Sequence, residues 1–179
     1  MQVCKCWKPK FLVAATAAML ILSTHSYAAS SLGSDDTDFI KNTAKGNLAE
    51  IDLGHMAVQK TQSPEVRDFA NRMIRDHTKA NSELATLASS KGVEIPKSIS
   101  LGDDVSVAHL KMLSGKSFDD AYIKIMVDDH KKTVDAFQKT ADNSQDPDVK
   151  HFAAKMLPTV QGHLTKIEKI QEDFGGGTK

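Results

Sequence analysis

Two stretches of this chain share Met, Asp, His and Lys at the same spacing. Met73-Ile74-Arg75-Asp76-His77-Thr78-Lys79 returns 53 residues later as Met126-Val127-Asp128-Asp129-His130-Lys131-Lys132. In each copy an imidazole sits among apolar residues recurring at helical spacing. A carboxylate immediately precedes it and a thioether lies one turn earlier. A polar ring taken out of water needs a partner, and neutral imidazole is the commonest metal ligand among side chains. The repeat therefore points to a site inside a helical core, without specifying a reaction.

One more histidine and one acid join the set by position around their helices. Counting ~100° per residue, His77 falls within ~40° of Met73, Ala70 and Leu84, and His130 ~40° from Met126 and ~20° from Phe137. His163 falls ~20° from Met156 and ~40° from Ile167. Glu50 lies between Ala57 and Thr43, away from the solvated side of Lys41, Lys45, Asp52 and Lys60. By distance from the helix ends, Glu50, His77 and His130 are level, and His163 is at most a turn or two away. Four helices thus bring one carboxylate and three imidazoles toward mid-bundle.

Such a set suits one ion of zinc, iron, manganese or copper, with a coordination position left for water or oxygen. Asp76 and Asp129 stand where they can orient neighbouring rings. Tyr122 either hydrogen-bonds a ligand or packs. Met73 and Met126 keep copper on the list, although core filling is the simpler use of both, as of Met156. Asp119 is expected as a first-turn capping acid. His55, His109 and His151 lie off the common plane. Two other readings remain open: a metal-free core in which histidines pair with acids, and a haem held by two histidines. The missing Cys-x-x-Cys-His excludes only covalent haem attachment.

The elements that must position these residues follow from periodicity and punctuation. A first helix is expected from about Asp36 to Thr61, with Ile40, Ala44, Leu48, Ile51 and Val58 inward. Ser63-Pro64-Glu65 starts a second helix by cap, proline and dipole, and Lys91-Gly92 stops it. The stretch 92–116 is broken by Pro96, Gly102 and Gly115 and is too long for a tight turn. It reads as a crossover holding a short helix near Asp103 to Leu113, which makes the second and third long helices parallel. Ser117-Phe118-Asp119-Asp120 is expected to open the third and Asp146-Pro147-Asp148 the fourth. Pro158 should bend the last helix, and a frayed tail is expected from Gly175.

Lys5, Lys8 and Lys10 precede an apolar run from Phe11 to Leu22, and Ser26-Tyr27-Ala28 follows. That is the layout of a signal peptide over residues 1–28, cleaved between Ala28 and Ala29. A domain over 29–174 and a tail over 175–179 would remain. Cleavage would remove Cys4 and Cys6 and leave no disulfide, thiolate or cysteine ligand. The whole chain has zero formal charge. Loss of three lysines and no acid leaves 20 basic and 23 acidic residues, a net of −3. The charges alternate, so neither a nucleic-acid stripe nor a polybasic membrane patch is present, and the mature chain has no membrane span. A periplasmic monomer or weak homo-oligomer is expected, with outer-membrane association left open.

The site residues also carry a family resemblance. Ala49-Glu50-Ile51-Asp52-Leu53-Gly54, Phe69 to Met73 with Asp76-His77, Phe118-Asp119-Asp120-Ala121-Tyr122 with Asp129-His130, and Leu157-Pro158 with His163 resemble the exported bacterial proteins called domain of unknown function 4142. The likeness spans nearly the whole mature chain. It implies an all-α, ferritin-like four-helix bundle with a long crossover between helices 2 and 3, and an exported location; it implies no activity. Diiron ferritins place Glu three residues before His on two helices. Here Ile74, Val127 and Val160 occupy those positions. A single-metal site fits better than a ferroxidase. The expectation is an exported bundle holding one transition-metal ion through Glu50, His77, His130 and His163, for metal handling or stress protection. A metal-free structural or stress-associated bundle is the alternative.

Overall fold

Local chemistry sets most helix boundaries. The computed structural model describes residues 32–100 and 105–176. The expected signal peptide and its cleavage point, Gly102, Asp103 and residues 177–179 lie outside the described residues. The elements are α1 (Ser34–Lys60), α2 (Pro64–Ser90), α3 (Val105–Met112), α4 (Gly115–Asn143) and α5 (Pro147–Gly176). The Ser63 hydroxyl accepts from the Val66 N–H at 3.2 Å, with Pro64 in the first helical position. Asp146 does the same for α5, accepting from the N–H groups of Asp148 and Val149 at 3.0 and 3.1 Å. At the end of α2, Gly92 takes φ of 67°. Val93 N–H then reaches the Ala88 carbonyl at 2.9 Å and Gly92 N–H the Ser89 carbonyl at 3.2 Å, a Schellman stop that requires a residue tolerant of positive φ.

Some boundaries differ from expectation. α4 begins at Gly115, not Ser117, because Gly115 at φ 55° makes the turn out of the crossover. Asp119 therefore sits beyond the first turn and is buried rather than capping. α5 runs unbroken through Pro158 and on through Gly176, past the expected fraying point at Gly175. Phe174 packs on the core there, and the Lys116 ammonium lies 5.6 Å from its ring centre, which ties down the last turns.

The four long helices pack as a bundle, and the crossover makes α2 and α4 parallel. Lys60, at the end of α1, donates to the carbonyls of Lys111 and Leu113 just before α4. Lys91, at the end of α2, pairs with Asp146 at 2.6 Å and Asp148 at 2.7 Å at the start of α5. The 92–114 segment thus returns the chain to the end from which α2 began. α1 packs on α2 and α4 on α5, with α2 against α5 and α1 against α4 closing the ring. No described helix is long and apolar enough to cross a membrane.

The core is not continuous. One apolar cluster, with Leu53, Val66, Phe69, Phe118, Tyr122 and Ile167, fills the end where α4 starts. A second, with Phe39, Ile40, Leu84, Phe137 and Phe152, fills the other. The buried polar residues Asn47, Glu50, His77, His130 and His163 come from helix positions between the two.

Candidate metal centre

All four expected residues meet in this layer. Exposure is 5 % for Glu50, 5 % for His77, zero for His130 and 1 % for His163. The ring centres are 6.0 Å apart for His77–His130, 5.4 Å for His77–His163 and 5.5 Å for His130–His163. One nitrogen from each ring lies within 4.8 Å of the others. Nitrogens bound tetrahedrally to one ion are about 3.4 Å apart, so the rings need close by at most about 1.4 Å. Gly54, one turn beyond Glu50, lets α2 approach α1. A Cβ there would lie 2.8 Å from Ile74 Cγ1 and 3.1 Å from the Ala70 carbonyl oxygen.

Each ring has one nitrogen against an oxygen acceptor. His77 Nδ1 is 2.9 Å from Asn47 Oδ1, His130 Nδ1 is 2.8 Å from the Met126 carbonyl, and His163 Nε2 is 2.8 Å from Asp76 Oδ2. A carbonyl or carboxylate oxygen only accepts, so each of these nitrogens carries the proton. The opposite nitrogens, His77 Nε2, His130 Nε2 and His163 Nδ1, are buried with no hydrogen-bond partner, and so is Glu50 Oε2. That carboxylate oxygen lies 3.0 Å from His77 Nε2 and 3.4 Å from His130 Nε2. Both are ion-pair distances, and the His77 contact is short enough for Nε2, when protonated, to donate to Glu50. Two ring lone pairs facing a carboxylate repel unless a cation, proton or metal, sits among them.

The protonation states agree. Burial raises the Glu50 carboxyl, but attraction to His77, helped by His130 and His163, outweighs it and holds Glu50 at about 2. Burial lowers the His77 pKa, but Glu50 beside it carries the net shift upward. Burial drives His163 down to about 4, with His77 and His130 repelling a further charge and Asp76 opposing. Without metal, Glu50 favours its ionised form, Glu50 biases His77 toward its protonated form, and burial biases His163 toward the neutral ring.

Other expected residues are placed as follows. Asp76 orients the ring of His163 and also accepts from Arg72 Nε at 3.2 Å. Asp129 does not orient a ring. Its side-chain partner is Lys132, 3.6 Å away, and burial with the Glu50 charge raises its pKa. Tyr122 is fully buried, stacks on Phe118 and has an unpartnered hydroxyl; burial and Glu50 raise its pKa. Met73 and Met126 lie in the apolar cluster, and His55, His109 and His151 are exposed. Asn47 was not expected. Its signal was a polar side chain three residues before Glu50, within the inward stripe of α1.

Fold and site together define a class: a four-helix bundle with a long crossover and a buried layer of three histidines and one carboxylate. Residues 22–170 match the model for DUF4142, a domain of unknown function, and the chain belongs to that family. No curated protein matches it. Among solved structures it is similar to a DUF305 fragment from Deinococcus radiodurans, with a TM-score of 0.70, 16% identity, and coverage of 80% of this chain and 99% of that one. A DUF305 protein from Streptomyces coelicolor gives 0.67, 15%, 79% and 94% for the same measures. CopM in its Cu(II)-bound form gives 0.65, 19%, 78% and 97%. CopM is also known in Cu(I)-bound, silver-bound and apo forms. At these identities the likeness shows the fold alone.

Proposed function

We propose that this protein is an exported metal-handling bundle that binds one transition-metal ion, copper foremost, through His77, His130, His163 and Glu50. The supporting observation is the arrangement of lone pairs. Three rings each leave one buried nitrogen without a hydrogen-bond partner, two of these face one Glu50 carboxylate oxygen, and an oxygen acceptor fixes the opposite nitrogen of each ring. Three imidazoles and a carboxylate match borderline divalent ions, among which Cu(II) binds such donors most tightly. The copper and silver forms of CopM favour the same choice by analogy of fold. The basic, then apolar, then small-residue layout of residues 1–28 supports export, as does a DUF305 neighbour described as secreted. The bundle topology suits the ferritin-like kinship, while Ile74, Val127 and Val160 leave no diiron ligands.

The test is metal loading of the mature protein after chelation. Cu(I), Cu(II), Zn(II), Mn(II) and Fe(II) are offered separately and unbound ion is removed. One equivalent of copper and a higher Tm are expected; ion at about a hundred times its Kd adds about 2.7 kcal/mol. Less than about a tenth of an equivalent of every ion, with no gain in Tm, overturns the reading.

A further inference from the structure

The three rings differ in what stands behind them. The acceptor behind His77 is Asn47, which is 6 % exposed, and behind His130 it is the main chain of Met126, itself fully buried. Behind His163 stands Asp76, whose side chain is 33% exposed, and it is held by Arg72, 42% exposed. Of the three ring supports, only Asp76 therefore meets solvent. Its carboxylate touches a ring whose other nitrogen is buried without a hydrogen-bond partner.

Two other approaches to the layer are obstructed. Along the bundle axis, the two apolar clusters close both ends, and a hydrated cation does not cross packed hydrocarbon. Between α1 and α2, Gly54 lies too close to Ile74 and the Ala70 carbonyl even for a methyl group. Between α2 and α5, by contrast, Gly162 precedes His163 and has no side chain. A Cβ there would lie 3.8 Å from Arg72 Nη2. The nearest atom from another element at this point is Arg72 Nη2, whose side chain pairs with Asp76 in a partly solvated contact of the weak class.

We propose that the α2–α5 seam is the port through which the ion enters and leaves, with Asp76 as its first contact and Arg72 as the latch. The proposal rests on the metal-site reading. Arg72 releases Asp76, the carboxylate takes a hydrated cation from solvent, and His163 passes it inward as its ring swings back. The bonds made and broken are coordination bonds and hydrogen bonds only, and water leaves the ion as ring nitrogens replace it. Asp129 is the competing surface carboxylate, since it is also part-exposed and feels Glu50, but it bonds no ring.

Stopped-flow uptake of Cu(II) by the apo protein, and extraction of Cu(II) from the loaded protein by a chelator, test this. Arg72→Gln removes a charge-assisted bond and is expected to speed both processes about tenfold while leaving Kd within about threefold. Gly162→Leu adds cover at the same point and is expected to slow both by a similar factor, an opposition that mere destabilisation would not produce. Asp129→Asn is expected to leave both rates unchanged. Rates within about twofold of the parent in both seam variants overturn the port and leave the site reading intact. An effect of Asp129→Asn as large as that of Arg72→Gln moves the port to the other surface and also overturns it. A parent protein that binds no copper overturns both readings.

Discussion

The two copies of the Met-x-x-Asp-His phrase lie on parallel helices, α2 and α4, and do different work. Both histidines reach the same carboxylate, His77 at 3.0 Å and His130 at 3.4 Å. Both methionines are fully buried. The aspartates diverge: Asp76 crosses to α5 and holds His163, whereas Asp129 turns outward to Lys132 on its own helix. The ring supports diverge too, a side chain from α1 for His77 and the main chain of α4 for His130. Repetition of a motif conserves the face a residue occupies. It does not conserve the partner, because α2 and α4 have different neighbours at that depth.

The comparison breaks most easily at the histidines. If the copies are two walls of one site, His77→Ala and His130→Ala each lower copper affinity by more than about a hundredfold and leave no tight site. A variant that kept half of the parent's bound ion, measured by elemental analysis, would mean one site per copy. The aspartates should then separate the copies. Asp76→Asn weakens binding about tenfold or more by losing the charge behind His163, while Asp129→Asn stays within about twofold. Competition titration against a chelator of known affinity decides this, and equal losses would restore the symmetry that the sequence suggests.

The smallest effect is in the pH dependence of the metal-free protein. His163, with its pKa depressed to about 4 by burial, stays neutral in the fold while the unfolded chain takes up a proton below about 6.5. Unfolded chains bind more protons in that window, so stability falls as the pH falls from 6.5 toward 4. His77 has the opposite sign. Its pKa is raised in the fold by Glu50, so its contribution is full below 6.5 and is lost as the pH rises through the raised value. Urea midpoints across this range should show a flatter acid limb in His163→Gln. In His77→Gln the stability present at pH 6 but absent at higher pH should disappear. A His163→Gln profile parallel to the parent's would contradict the placement of the neutral ring.

Much of the frame was legible beforehand. Ser63-Pro64 and Asp146-Pro147 announced two helix starts, and Lys91-Gly92 one stop, because caps and positive φ are local requirements. The long, glycine- and proline-broken stretch after α2 announced the crossover. The start of α4 was misplaced since Ser117 and Gly115 both offer plausible openings, and only the turn out of α3 decides between them. Asp119 was misassigned for the same reason: its role depended on that boundary. Tyr122 lies on the expected inward face of its helix, whereas Asp129 turns out to Lys132 instead of toward a ring, because its direction depends on neighbours that the sequence does not show.

Sequence alone determined the core-facing side of each helix to within ~40° and depth to about a turn. That margin left Leu48, Ile51 and Val58, expected inward, only half-buried at the edge of the α1 face. It was enough to gather Glu50, His77, His130 and His163 into one layer. Tertiary structure alone decided which nitrogen of each ring points inward. It also decided that Asn47 backs His77 and that Asp76, not Asp129, backs a ring. Hydrogen bonds are sensitive to tenths of an ångström and to angle. A helical wheel resolves several ångströms at the tip of a side chain, so these pairings arise only when the helices are packed.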